Sequence, residues 1–398
     1  MTPRLVYIGD VPVEASYHGS ALLYRLLQEY PSDRLRIVEG NLIPPKTDRR
    51  LPGVIHSTLQ VGYPRLLNSR LHEWYSRWLV ARADSRVRQL RAMMHDYTPE
   101  AVLTVAHGYS WITAARAARE RNLPLHLIVH DDWPRVVAPA LRPRVETEFA
   151  RVYRAATSRL CGSPFMAEDY HRRYGVSGTV LLPSRAPDAP VFNGVGERLL
   201  GNAGSLVFAF AGSINTPGYA SLLRQLAAAI APYSGELLIF GPLDGSQATA
   251  IGLNAHNVRL GGLLAPGELL VRLRRDADVL FVPMSFATDD SANMRMGFPS
   301  KLTDYTTVGL PLLVCGPKDC SAVRWAQSTP DLAEVVTSED PEALGAAAGR
   351  LSTNRQHRLT LATNARAAGD RDFSGTAAQE IFRQALNRGL AHESRSHA

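Results

Sequence analysis

Short apolar runs recur along the chain, each followed by a stretch with helical spacing of its apolar positions. In the first half the runs are RLVYIG, RLRIVEG, AVLTVAHG, PLHLIVHD, SRLCGS and TVLLPS. Between them lie patterns such as SALLYRLLQEY and SWITAARAARERN, the second with alanine and apolar residues on one face. A Pro- and Gly-rich interval, PSRAPDAPVFNGVGERLLGNAGS, then precedes a second series: SLVFAFAGS, GELLIFGP, NVRLGG, ADVLFVP, LPLLVCG and AEVVTS. Strand and helix in alternation predict an α/β fold of parallel sheets covered by helices. Two Rossmann-like domains facing each other across a cleft are expected, because ligands of open parallel sheets bind beyond the carboxyl ends of the strands. The expected boundaries are 1–185 for an N-terminal domain, 186–205 for a linker and 206–370 for a C-terminal domain. Residues 371–398 form a C-terminal helix and tail, able to pack back on the N-terminal domain, and the last residues, HESRSHA, read as frayed.

Composition narrows the class. A chain of 398 residues with 45% hydrophobic and 20% charged residues suits a globular protein of more than one core. Runs such as LHLIVH and ADVLFVPM fall short of the roughly 20 residues a helix needs to cross a bilayer. MTPRLVYIGD reads as a first buried strand rather than a signal peptide, so a cytoplasmic protein is expected. The 3 cysteines, Cys161, Cys315 and Cys320, have no metal-site spacing and cannot build a disulfide framework. A formal charge of +7 favours an anionic partner without saying which.

The stretch GFPSKLTDYTTVGLPLLVCG, Gly297 to Gly316, carries candidate chemistry. Proline suits the first helical position, so Pro299 is expected to open a helix with free N–H groups at Ser300 and Lys301, an end that attracts phosphate. Lys301 adds a full positive charge, and Asp304 lies one turn further on the same face. That spacing matches a phosphate and its neighbouring ribose, whose vicinal hydroxyls a carboxylate can accept. Gly309 and Pro311 end the helix. A solvated Lys–Asp helical pair is the alternative reading.

These residues resemble retaining glycosyltransferases of the GT-B fold, family 4 in particular. Phe298 to Leu313 fits the variant FPSKL-x-[E/D]-Y-x-x-x-G-x-P-x-L of that family's motif, and FAGSI with Gly212 and LLIFGP with Gly241 follow in the order of its nucleotide-binding domain. Two departures stand out. The first acidic position of the motif falls on Met296, and the turn GSINTPG offers Ser213 and Thr216 where relatives place Arg and Lys. The resemblance implies that the C-terminal domain binds a nucleotide-diphosphate sugar, UDP or GDP being the carrier, through Gly212, Ser213, Gly241, Arg295, Phe298, Pro299, Ser300, Lys301 and Asp304. It further implies retention of anomeric configuration, no metal and no separate cofactor, with Lys301 stabilising the leaving diphosphate.

For the N-terminal domain the resemblance implies acceptor binding, the acceptor being a sugar, a lipid-linked molecule or a small molecule. Its glycine turn matches His18, Gly19 and Ser20, and its histidine after a later strand matches His130 in LIVHDDWP, implied to reach the donor sugar and the reacting centre. His107, Gly108 and Ser110 in HGYSW are further cleft candidates, a turn capped by Ser110 being the alternative. Asp131 is an acceptor candidate, whereas Asp132 reads as a helix cap and Ser163 as an N-cap. Neither Asp131–Asp132 nor Asp289–Asp290 has a histidine cluster beside it in sequence, which argues against a metal.

From Tyr63 to Arg91 seven arginines interleave with Trp74, Tyr75 and Trp78. That pattern suits a peripheral membrane contact at the inner face of a membrane, or a long helix with aromatics inward and arginines in water. A non-catalytic sugar-nucleotide or glycan-binding protein on the same fold is the principal alternative function. A Rossmann oxidoreductase or epimerase is disfavoured, the oxidoreductase because GDVPVEASYHGS lacks G-x-G-x-x-G. No nucleic-acid-binding module is recognised.

Overall fold

In a computed structural model of the chain, residues 2–396 are described except 16, 17, 46–48, 202, 203 and 215, and side chains are described for all of these but 18, 136 and 389–396. The His18 side chain and those of the expected frayed tail therefore lie outside the described residues. The chain divides into two compact units, residues 1–183 with 375–398, and residues 184–374.

The first unit is built on seven strands: β1 (Leu5–Gly9), β2 (Leu35–Gly40), β3 (Ile55–Leu59), β4 (Ala101–Val105), β5 (Leu125–Val129), β6 (Ser158–Cys161) and β7 (Thr179–Val180). They pair in parallel in the order β3-β2-β1-β4-β5-β6-β7. The order reverses between β1 and β4, the kind of position at which ligands of open parallel sheets bind. Every residue of β1, β2, β4 and β5 is buried, as continuous apolar runs in a doubly covered sheet require. β3 has no such run: His56, Ser57 and Thr58 lie at the sheet edge, where one flank and one face meet water.

The second unit repeats the plan with β8 (Val207–Ala211), β9 (Glu236–Phe240), β10 (Val258–Gly262), β11 (Val279–Pro283), β12 (Leu312–Cys315) and β13 (Glu334–Val336), ordered β10-β9-β8-β11-β12-β13 and all parallel. Its reversal lies between β8 and β11. Phe208, Phe210, Ile239, Phe281 and Leu313 from the sheet meet Leu223, Leu226 and Leu344 from the covering helices in one core. The interval 186–205 belongs to this unit. The Arg274 guanidinium donates to the carbonyls of Asn193 (2.8 Å), Val195 (2.9 Å) and Val308 (2.8 Å), which pins the interval to the turn after the Lys301 helix. Gly309 closes that turn with a positive φ of 71°, and a Cβ there would stand 2.5 Å from the Gly194 carbonyl oxygen.

The C-terminal helix Gly375–Ser396 returns to the first unit. Ala378, Phe382, Ala385 and Leu386 enter the core with Leu5, Tyr7, Leu23 and Leu160. Gln379 Nε2 donates to the carbonyls of Arg25 (2.9 Å) and Leu26 (3.1 Å), so a side chain from the end of the sequence satisfies the open carboxyl end of the helix His18–Leu27. Phe382→Ala should therefore destabilise the first unit by about 3–5 kcal/mol, the range for emptying a buried phenylalanine site. Urea unfolding followed by tryptophan fluorescence measures it, and an unchanged midpoint would mean that the helix is dispensable.

Candidate functional site

In the second unit the chain leaves β8 through Gly212 and β9 through Gly241, with positive φ of 142° and 156°. The two turns touch backbone to backbone: a Cβ on Gly241 would lie 2.4 Å from the Gly212 carbonyl oxygen. Gly212 N–H donates to Phe240 O at 2.9 Å and Gly241 N–H to Gly262 O at 3.0 Å. No side chain separates the two turns at the carboxyl end of the sheet.

Lys301 lies beside the Gly212 turn. Its Nζ stands 4.2 Å from the centroid of the Phe210 ring and 5.6 Å from that of Tyr219, and lies 3.6 Å from where a Gly212 Cβ would be. Ring faces attract the ammonium through their quadrupoles. Among the described residues no carboxylate comes within 4.0 Å of it. Desolvation without a compensating charge pushes its pKa down from 10.5 to about 7.

The expected helix is shorter than its sequence suggests. It runs Lys301–Tyr305, Ser300 makes no side-chain cap, and Pro299 precedes the first helical position and accepts from Leu302 N–H at 3.1 Å. One turn of helix carries little dipole, so the Lys301 ammonium supplies the local positive field. Asp304 is half-buried, and its Oδ1 is 3.5 Å from the Thr303 hydroxyl. Tyr305 has a role the sequence did not disclose: its buried hydroxyl accepts from Ala211 N–H at 2.6 Å, fixing the end of β8 to the Lys301 helix. Phe298 stacks its ring edge toward Trp325 and lies 5.7 Å from Phe373, a packing position. Met296 is buried at the end of the helix Ser291–Met296, with Arg295 half-buried beside it. Ser213 is half-buried in the glycine turn, and Asn215 of that turn lies outside the described residues.

In the first unit Asp10, immediately after β1, is fully buried. Its Oδ2 accepts from the N–H groups of Tyr109 and Ser110 (2.7 Å for Ser110), and its Oδ1 accepts from the Ser110 hydroxyl at 2.7 Å. Asp10 thus caps the helix Ser110–Glu120 in place of the alternative Ser110 cap, and the Ser110 hydroxyl is spent on Asp10. Gly108, at a φ of 66°, makes room for it: a Cβ there would lie 2.3 Å from Asp10 Oδ2.

The loops after β4 and β5 bring His107, His130 and Asp131 together. His130 Nε2 is 3.3 Å and His107 Nδ1 3.5 Å from Asp131 Oδ2, and the two imidazoles stack at 5.6 Å. Trp133 covers His107 at 4.5 Å. Gly19, in the first turn of the helix His18–Leu27, packs on the His130 ring, where a Cβ would be 3.0 Å from Cε1, and Ser20 beside it is buried. Burial alone would lower the His130 pKa, yet the Asp131 charge and hydrogen bond outweigh it and raise it. Burial likewise opposes the Asp131 charge, yet His130 and His107 hold that carboxyl well below its usual range.

Two sequence expectations change here. Asp131 does have histidines beside it, contributed by another strand, and the ligand atoms of the three side chains lie within 4.8 Å of one another, a set that a divalent ion could use. Asp132 makes no cap. It is buried, accepts from Arg173 Nη1 at 3.0 Å and from the Tyr170 hydroxyl at 3.1 Å, and ties the loop to the helix Pro164–Tyr174. Ser163 caps that helix as expected, accepting from Met166 N–H at 2.9 Å.

The chain has the GT-B fold, shared with solved glycosyltransferases. HepE from Anabaena, solved with UDP and glucose, superposes with a TM-score of 0.65 at 14% identity over 97% of this chain and 99% of its own. Sucrose-phosphate synthase from Thermosynechococcus elongatus gives 0.67 at 16% identity over 99% and 100%. The trehalose 6-phosphate synthase of Burkholderia multivorans gives 0.65 at 14% identity over 100% and 99%. No protein-family profile and no curated protein sequence matches the chain.

The His130 assignment generates a prediction. NMR titration of the histidine ring protons should place His130 above its ordinary 6.5, and Asp131→Asn should bring it below that value, since burial would then act unopposed. An unmoved titration in Asp131→Asn would show that the pair is not coupled.

Proposed function

We propose that this chain is a retaining glycosyltransferase of the family 4 type that moves a sugar from a nucleotide-diphosphate donor, UDP or GDP, to an acceptor hydroxyl, without a metal ion or separate cofactor. The observation that carries the reading is the desolvated Lys301 ammonium, in contact with two aromatic rings and no carboxylate, at the glycine turn beyond β8. Breaking the bond between sugar and diphosphate leaves negative charge on the diphosphate, and a preorganised cation there lowers the barrier. The UDP, glucose and UDP-glucose complexes of HepE support UDP as the first carrier to test.

In this reading the second unit holds the donor. Gly212, Ser213 and Gly241 let the diphosphate approach the backbone, Arg295 and Ser300 contribute polar contacts, and Asp304 accepts from the ribose hydroxyls. The first unit holds the acceptor, a sugar, a lipid-linked molecule or a small molecule, with Gly19, Ser20, His107, Gly108 and Asp131 around it and His130 serving the transferred sugar. The chain acts in the cytoplasm. A second reading, a non-catalytic binding protein, draws on Met296: the position where relatives carry an acid is a buried apolar one. It would bind the donor with no transfer to any acceptor and no hydrolysis.

A thermal-shift series with UDP, GDP, ADP, TDP and CDP tests the site. One diphosphate, UDP first, should stabilise the protein, by about 2.7 kcal/mol at 100 times its dissociation constant. Asp304→Ala should weaken that binding about tenfold, the loss of hydrogen bonds to a charged group. No shift with any diphosphate on folded protein would sink the proposal.

Lys301 also fixes a pH dependence. The free protein's ammonium releases its proton near 7, and an anion favours the charged form, so diphosphate affinity should fall as pH rises above 7 and be flat in Lys301→Met. Stability moves oppositely. The unfolded chain keeps this proton to about 10.5 and the folded chain only to about 7, so the group's contribution to stability rises across that window. Without nucleotide, Lys301→Met should melt higher than the parent at pH 7, by a margin that narrows toward pH 10. A variant that melts lower and still binds nucleotide would assign Lys301 to structure alone.

A further inference from the structure

The stretch from Tyr63 to Ala83 has more exposed apolar surface than its place in the first unit needs. It forms the helices Pro64–Leu67 and His72–Ala81, and the second of these fills its inward face with Tyr75, Ser76, Leu79 and Val80. Trp78 stacks on Tyr75 at 5.4 Å and is roofed by Arg82 at 5.0 Å. These contacts account for two of the three helical aromatics. Trp74 is left 63% exposed, with Leu71 at 56% and Tyr63 at 70%.

The charges around them are mainly positive, and three of the arginines are without ion-pair partners among the described residues. Trp74, Arg77 and Ala81 recur on one helical face, and Arg70 and Leu71 stand one turn before Trp74. Arg65, Arg70 and Arg77 are exposed, and among the described residues none has an ion-pair partner. Elsewhere on neighbouring helices such pairs do form, between Arg91 and Glu120 and, at 2.7 Å, between Arg116 and Asp84. Glu73 is the one acid between residues 63 and 83, against four arginines.

We infer that this face is an interfacial surface for an anionic lipid bilayer. Tryptophan and tyrosine rings partition to the headgroup level, leucine enters the acyl boundary beneath, and guanidinium groups meet lipid phosphates, each arginine gaining from the negative surface potential. Charge complementarity selects the occupant, because an uncharged surface would leave three arginines desolvated without partners. The inference does not depend on the glycosyl-transfer reading. If both hold, the surface brings the first unit to a lipid-linked acceptor.

Flotation of the full chain with vesicles tests it. The protein should float with phosphatidylglycerol vesicles at 0.1 M salt, remain at the bottom with phosphatidylcholine vesicles, and lose most of its binding at 0.5 M salt, conditions chosen from a screening length of about 10 Å at 0.1 M. Arg70→Glu with Arg77→Glu should abolish binding, and Leu71→Ser with Trp74→Ser should weaken it about tenfold, since each exposed side chain contributes buried area only on the membrane. Circular-dichroism melting of each variant checks that the fold is kept, and all four positions are exposed. Failure to float with phosphatidylglycerol, equal binding to both lipids, or patch-dependent self-association in sedimentation without vesicles would overturn the inference. Donor binding measured on the same variants should be unchanged, which separates this surface from the nucleotide site.

Discussion

A half-buried lysine ammonium set against aromatic rings, with no carboxylate partner among the described residues, is the constraint on which the second unit is organised. Phe210 is the second-last residue of β8, Tyr219 lies in the first turn of the following helix, and Tyr305 anchors both strand end and Lys301 helix through the Ala211 amide. Each of these contacts holds the charge in place without neutralising it. A positive charge set without a counter-charge in a partly desolvated place costs folding free energy, and an anionic ligand of the kind proposed above would offset it. The glycines at 212 and 241 let their two turns pack backbone to backbone, since a Cβ on Gly241 would lie 2.4 Å from the Gly212 carbonyl oxygen.

The first unit meets an analogous problem with opposite chemistry. Asp10 is a buried carboxylate at the end of β1, but it is fully answered by two backbone amides and a hydroxyl at the start of the helix Ser110–Glu120. It sets the loop carrying His107 and Gly108 at a fixed distance from the central strand. The neighbouring loop is fixed separately by Asp132 and Arg173. With both loops locked from below, His107, His130 and Asp131 stand together, the Asp131 charge raising the His130 pKa and the two histidines holding the Asp131 carboxyl low.

The fold class could be read from the chain because its strands are continuous apolar runs, and a doubly covered parallel sheet makes such runs unmistakable. β3 escaped because it is an edge strand of His56, Ser57 and Thr58, whose side chains carry no core signal. Lys301 and the glycine turns stood out in the sequence because they sit in one contiguous segment or directly after an apolar strand, and the structure brings Lys301 beside Gly212. Asp10, Tyr219 and Tyr305 were not, since their roles arise from partners some 75 to 100 residues away. The histidine cluster was half visible: His130 and Asp131 are adjacent, but His107 arrives from another strand, and spacing along the chain holds no record of sheet order. Pro299 misled for a local reason, a one-turn helix being too short to place its first residue by composition.

The return of the C-terminal helix to the first unit has a consequence for how the protein is made. A ribosome finishes residues 184–374, the whole of the second unit, before it delivers Phe382 and Leu386 to the core of the first. The unit that begins first in sequence is therefore the last to close, and until it does the apolar surface of Leu5, Tyr7 and Leu23 lacks its cover. During synthesis the later domain can act as a folded body while the earlier one waits, and the interval between the two events is the period in which the nascent chain is most exposed to aggregation.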